Sequence, residues 1–130
     1  SIMLYGFAKV STAISMQVKD FAQRQGEYWL CVPGKDNTFH KVPAHSAIVI
    51  SLQHYLKLAG IADDSQSPLF RSVRGRMKAV TERGMHRSDV LRMIKRRALD
   101  AGLKRPICCH SFRATGISRY LEQGGSLEQA

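Results

Sequence analysis

The stretch that most restricts the fold lies near the C-terminal end: His110-Ser-Phe-Arg113-Ala-Thr115-Gly-Ile-Ser-Arg-Tyr-Leu121-Glu-Gln-Gly124. Phe112, Ile117 and Leu121 recur at roughly helical spacing and Gly124-Gly125 supplies a stop, so a helix is predicted here. His110 and Arg113 stand three apart and project from one face of its first turn. A helix N-terminus favours anions, so an imidazole and a guanidinium placed there would welcome a phosphate. On these two residues alone a solvated helix end is the favoured reading, and the rest of the chain has to supply the context. Tyr120, seven residues after Arg113, reads as a packing residue.

From Ser1 to Val18 the chain reads as two helical pieces with a bend near Gly6 to Ser11; Val10, Ala13, Ile14 and Val18 form a buried stripe. Glu27–Pro33 and Thr38–Val42 are β-propensity runs separated by Gly34-Lys35-Asp36-Asn37, which predicts a hairpin with Lys35 in its turn. Pro43 ends the second strand because it cannot donate to a ladder. Ala44 to Ala59 carries Ile48, Leu52, Tyr55, Leu56 and Ala59 at helical spacing and is closed by Gly60. A polar loop, Asp63 to Pro68, follows, and Leu69-Phe70 is expected to dock back on the core. Arg71 to Gly84 mixes charges with glycine and β-branched interruptions, so an irregular loop with one turn of helix is expected. Ser88 to Ala101 is a further helix, with Ser88 as N-cap and Gly102 at the C′ position. Its apolar side is Val90, Leu91, Ile94, Ala98 and Ala101; Arg92, Lys95 and Arg96 occupy much of the remainder. Ser126 to Ala130 looks like the start of another helix.

Charge says more by position than by amount. The chain carries a net charge of +10, and Arg71 to Arg105 holds twelve Lys or Arg against Glu82, Asp89 and Asp100, or nine of those ten charges. Such a block favours a polyanion, with nucleic acid ahead of a membrane because no strongly amphipathic, aromatic-anchored helix accompanies it. No apolar run approaches a membrane span and no signal-peptide pattern opens the chain, so a cytoplasmic location is expected. Cys31, Cys108 and Cys109 make neither a disulfide framework nor a zinc spacing; buried free thiols are expected, with no metal and no cofactor. With 130 residues, 44% of them hydrophobic, the chain suits one domain with a real core.

His-x-Phe-Arg-x-Thr-Gly, followed by an apolar helix and Gly-Gly, resembles the H-x-L-R-H-T helix of the tyrosine recombinases, the phage-integrase family. Two further segments are similar to that family's catalytic domain. Ala8-Lys9-Val10-Ser11-Thr12 through Asp20 aligns without a gap with G-L-R-x-S-E-x-L-x-L-x-x-x-D, with Lys9 at the arginine position and Thr12 at the usual glutamate. Gly34-Lys35-Asp36-Asn37-Thr38-Phe39-His40-Lys41-Val42-Pro43 resembles G-K-G-x-K-x-R-x-V-P, with Lys35 at the catalytic lysine and Thr38 and Phe39 at positions usually basic. The resemblance spans essentially the whole chain. It implies a mainly α fold with a small antiparallel β-hairpin or sheet, in the α+β class, as a single partial catalytic domain over residues 1–130.

The resemblance also implies DNA breaking and rejoining in site-specific recombination or integration, through a covalent phosphotyrosine. His110 and Arg113 would hold the scissile phosphate, Lys9 would stand in for the first arginine, and Lys35 would be the general acid. The family's later Gly-His and nucleophilic tyrosine are not found before Ala130, so the chain by itself is expected not to cleave DNA. Lysine at position 9 keeps charge but lacks the two-pronged grip of arginine, and losing one such donor costs roughly a hundredfold in rate. Lys41, Arg71, Arg74, Arg76, Arg92, Lys95 and Arg96 are the expected DNA contacts. The expected partner is duplex DNA, with self-association on it; no small-molecule substrate is expected. A decayed module that only binds DNA or a protein partner, and an RNA-binding domain using the same basic face, are the alternatives.

Overall fold

The computed structural model describes residues 1–34, 36–76 and 78–126. Two short helices, α1 (Ile2–Tyr5) and α2 (Val10–Ser15), open the chain on either side of a bend. Both fall where apolar spacing predicts them. A 3₁₀ turn, Val18–Asp20, follows, closed by a capping box in which the Gln17 N–H donates to Asp20 Oδ2 at 2.8 Å.

Strands β1 (Phe21–Arg24), β2 (Glu27–Pro33) and β3 (Phe39–Pro43) form an antiparallel sheet in that order. The β2–β3 hairpin is the predicted one, with Pro33 opposite Phe39 and Pro43 as the last paired residue, opposite Trp29. Strand β1 is an addition to the sequence expectation. It pairs with β2 through the two-residue turn Gln25-Gly26, where both residues have positive φ, 51° and 85°. That geometry matches the twist of the flanking strands.

Helix α3 (Ser46–Ala59) begins two residues later than its apolar pattern suggests, because His45 caps it: His45 Nδ1 accepts from the Ala47 N–H at 3.1 Å. Gly60, at φ 66°, ends it. Ile48, Leu52 and Leu56 recur every four residues and are all buried. They meet Leu30 and Phe21 from the sheet, Ile2, Ala8, Ala13 and Met16 from the N-terminal segment, and Leu69. Leu69 has no exposed surface, and its N–H donates to the Met16 carbonyl at 2.8 Å, so the polar loop does return to the core.

Arg71 to Gly84 corrects the expectation of an irregular loop. It is a second antiparallel hairpin, β4 (Arg71–Arg74) and β5 (Ala79–Gly84), with Val73 opposite Val80. The β-branched residues that seemed to interrupt a helix are its cross-strand pairs, and Gly75, at φ 75°, lies in the turn.

Helix α4 (Arg87–Asp100) starts one residue earlier than expected, and Ser88 is not its cap. His86 is: its Nδ1 accepts from the Ser88 N–H at 3.3 Å, while the His86 N–H donates to Asp89 Oδ2 at 3.3 Å. Gly102 occupies the C′ position as predicted. Its N–H reaches the Leu99 carbonyl and that of Leu103 reaches the Ala98 carbonyl, which together make a Schellman motif. Val90 and Ile94 are the buried residues of α4; Ala101, expected on the apolar side, is exposed.

Helix α5 (Cys109–Glu122) completes the fold and packs across α1. The contact is made by Gly116. A Cβ there would run into the Leu4 backbone carbonyl, so only glycine allows the two backbones this close. Gly124, at φ 89°, stops the helix as the Gly-Gly signal predicts. The last helix suggested by the sequence, Ser126 to Ala130, lies outside the described residues except for Ser126. The cysteines depart from expectation: all three are free, but Cys31 and Cys109 are half-buried and Cys108 is exposed. Among the described residues no helix is long and apolar enough to cross a membrane.

Candidate functional site

The bend between α1 and α2 is where the C-terminal helix α5 ties back to the start of the chain. Phe7 sits in it at φ 50°, a conformation that costs a bulky side chain about 1 kcal/mol or more. Its surroundings hold it there. Its ring packs against Tyr120 at 5.5 Å between centroids, tilted by 59°, and its Cδ1 lies close over Gly116. Its carbonyl accepts the Arg113 Nε–H at 2.6 Å. Tyr120 is thus a packing residue, as read from the sequence.

Arg113 is half-buried and reaches back across 106 residues of sequence to the bend. One of its five N–H donors is spent on Phe7. Among the described residues no other hydrogen bond or ion pair holds the guanidinium, which leaves the two terminal nitrogens available to a planar anion. Lys9 follows Phe7 by two residues, a span of about 7 Å at most along the backbone. It is the exposed N-cap residue of α2. Lys9 and the Phe7 carbonyl bonded by Arg113 thus belong to the same bend.

His110 is exposed in the first turn of α5, one turn before Arg113. The turn is capped by Cys108 and Ser111: the Ser111 N–H meets the Cys108 side chain, and the Cys108 N–H donates to Ser111 Oγ at 3.2 Å. The Ser111 hydroxyl and the N–H groups of Ser111 and His110 hold the Cys108 thiol below its ordinary pKa. This is the positive end of α5 acting on a soft anion. No acid stands in this first turn.

Lys35 lies outside the described residues. The frame of its turn does not: the Gly34 N–H donates to the Thr38 carbonyl at 2.8 Å, and the Thr38 and His40 side chains lie close over Gly34. Lys41 is exposed on β3, opposite Cys31.

The remaining expected contacts divide. Arg74, Arg76, Lys95 and Arg96 are exposed. Arg92 is exposed too but paired with Asp89 three residues earlier on α4. Arg71 is withdrawn: its side chain is 10% exposed and bonds Asp64 at 2.6 Å, and its backbone N–H donates to the Tyr55 hydroxyl at 3.0 Å. It anchors the root of the second hairpin. Lys78 and Arg83, not singled out from the sequence, are exposed on the same hairpin. The glycine between alternating β-branched residues was the signal that places them there. Among the described residues no three His, Cys, Asp or Glu side chains gather as a metal site requires.

No curated protein sequence matches the chain. Among solved structures it is similar to XerA recombinase, with 21% identity and a TM-score of 0.77, covering 99% of this chain and 44% of that one. It is also similar to XerH site-specific recombinase bound to its difH substrate in a pre-cleavage complex, with 17% identity and a TM-score of 0.66. That match covers 95% of this chain and 34% of XerH, and the post-cleavage complex on palindromic difH gives the same values. The chain thus spans less than half the length of these recombinases, whose fold it shares. The match to the phage integrase family runs over residues 1–130, and the chain belongs to that family.

Proposed function

We propose that this chain is the phosphate-holding part of a tyrosine recombinase catalytic domain and binds duplex DNA around a scissile phosphate. The observation that carries the reading is Arg113, fixed through Nε to the Phe7 carbonyl with its terminal nitrogens unspent, beside the bend that bears Lys9. A tyrosine attacking a phosphodiester passes through a pentacovalent state whose charge builds on the non-bridging oxygens. Donors already oriented toward that position stabilise it without reorganising.

In this reading Arg113 grips two phosphate oxygens, His110 donates to one of them from the first turn of α5, and Lys9 supplies charge without a planar fork. Lys35 protonates the leaving 5′ oxygen. Exposed Lys41, Lys95 and Arg96 contact flanking phosphates, so affinity is mainly electrostatic and carries little sequence information. Arg71, bonded to Asp64, is left out of this surface. Lysine at position 9 also supports a second reading, a module that retains binding while transition-state stabilisation is weakened.

Fluorescence anisotropy with a labelled duplex tests the reading. Binding is expected at low salt and falls steeply as salt rises. His110→Ala and Arg113→Lys are expected to weaken it severalfold, while Lys35→Ala leaves it nearly unchanged, since an acid acts in the chemical step. Absence of binding even at low ionic strength overturns the reading, as do equal, large losses from all three substitutions.

A further inference from the structure

We propose that the β4–β5 hairpin is a second DNA contact, a basic ribbon that lays its tip on duplex phosphates outside the candidate site of Lys9, His110 and Arg113. The inference rests on the duplex-DNA reading above and assigns a separable element to it.

The hairpin is fixed at its root, and its described residues toward the tip are exposed. At the root, the Arg71 N–H donates to the Tyr55 hydroxyl, the Arg71 side chain bonds Asp64, and the Met85 N–H donates to the Phe70 carbonyl at 2.9 Å. Gly84 packs against Pro68. One rung further out, the hydroxyls of Ser72 and Thr81 bond each other at 2.6 Å. Beyond that, Val73 and Val80 face each other across the strands and are 57% and 41% exposed, so no described residue covers them.

Arg74, Arg76, Lys78 and Arg83 are exposed around this pair, against the single acid Glu82. Among the described residues none of the four makes an ion pair. An isolated two-stranded ribbon is marginally stable, so a partner that packs on the exposed valine pair would steady it. A duplex suits both features: phosphates take the cations, and a two-stranded ribbon is the width of a major groove, where valines can meet thymine methyls.

The test compares the salt dependence of duplex binding by the parent chain with that of two triple variants. One is Arg74→Gln/Arg76→Gln/Lys78→Gln on the hairpin. The other, Lys19→Gln/Arg24→Gln/Lys57→Gln, removes three exposed charges elsewhere. Each phosphate contact contributes about 0.9 to the slope of log affinity against log salt, so the hairpin variant is expected to bind with a slope shallower by about 2 to 3. The control variant should keep the parent slope, and thermal melting followed by circular dichroism should show both variants folded. An unchanged slope in the folded hairpin variant overturns the proposal and leaves the duplex reading intact. An equal change in both variants overturns it too, because the hairpin then contributes only net charge. A change seen on structured RNA but not on duplex DNA reassigns the ribbon to RNA. Failure of the parent chain to bind duplex overturns both readings.

Discussion

Two arginines in this chain show how differently one residue type is used. Arg71 is nearly enclosed and bonded to Asp64, so it stabilises the root of a hairpin and offers little to a ligand. Arg113 spends one donor on a carbonyl that lies 106 residues away in sequence and keeps the rest. Spacing could suggest Arg113 because its neighbours follow a known pattern, but nothing local distinguishes Arg71 from the exposed arginines after it. Its partner, Asp64, sits in a loop whose path depends on Leu69 docking in the core.

Cys108 shows the field at the same helix end. Its depressed pKa comes first from the Ser111 hydroxyl and then from backbone N–H groups. In a Cys31→Ser/Cys109→Ser background, the pH profile of Cys108 alkylation by iodoacetamide is expected to have its midpoint below that of an ordinary free thiol. Ser111→Ala should move that midpoint upward, toward the ordinary value. Identical profiles with and without Ser111 would show that the hydroxyl does not act on the thiol.

At the scale of elements, helices α3, α4 and α5 were legible because a period of 3.6 in apolar residues survives any packing arrangement that buries one face. The elements that were not legible are strands. Strand β1 offers four residues of which only Phe21 is buried, and its turn is Gln25-Gly26 rather than the more recognisable Asn-Gly. The β4–β5 hairpin was hidden because its glycine resembles a helix breaker until its flanking valines are seen to pair. Cap residues were misjudged for a related reason. His86 and His45 cap through ring nitrogens, a role usually taken by Ser, Thr, Asp or Asn.

Gly116 is the element-scale contact on which the site depends, since it sets the approach of α5 to α1 and hence the reach of Arg113 to Phe7. Alanine there would improve helix propensity by about 1 kcal/mol yet force a methyl into the Leu4 carbonyl. Overpacking of this kind costs about 1–3 kcal/mol, occasionally more, so Gly116→Ala is expected to destabilise the fold. Urea unfolding would measure this as a lower midpoint at an unchanged slope. A midpoint at or above that of the parent would mean that α5 and α1 can separate at no cost.

Across the whole molecule, apolar and basic residues are segregated by position in the chain. The largest buried cluster draws on residues 2 to 69, α4 adds Val90 and Ile94, and most of the net positive charge lies between Arg71 and Arg105. Helix α5 then returns to the beginning, where Arg113 meets the Phe7 carbonyl. The resemblance names lysine, histidine and arginine positions in order, but it does not give this contact. The tie from Arg113 to a main-chain carbonyl leaves no trace in residue identity, because any residue at position 7 would present the same acceptor.

The candidate site makes one claim above the others: a DNA phosphate sits against Arg113 and His110. The most direct measurement follows the Arg113 Nε–H and His110 ring signals by ¹⁵N-edited NMR while a short duplex is added. Both signals are expected to shift together and to saturate with the same affinity, with the Arg24 Nε–H signal, on the β1–β2 hairpin, unmoved. Saturable duplex binding that shifts the exposed lysines and arginines but leaves Arg113 and His110 unchanged would contradict the account.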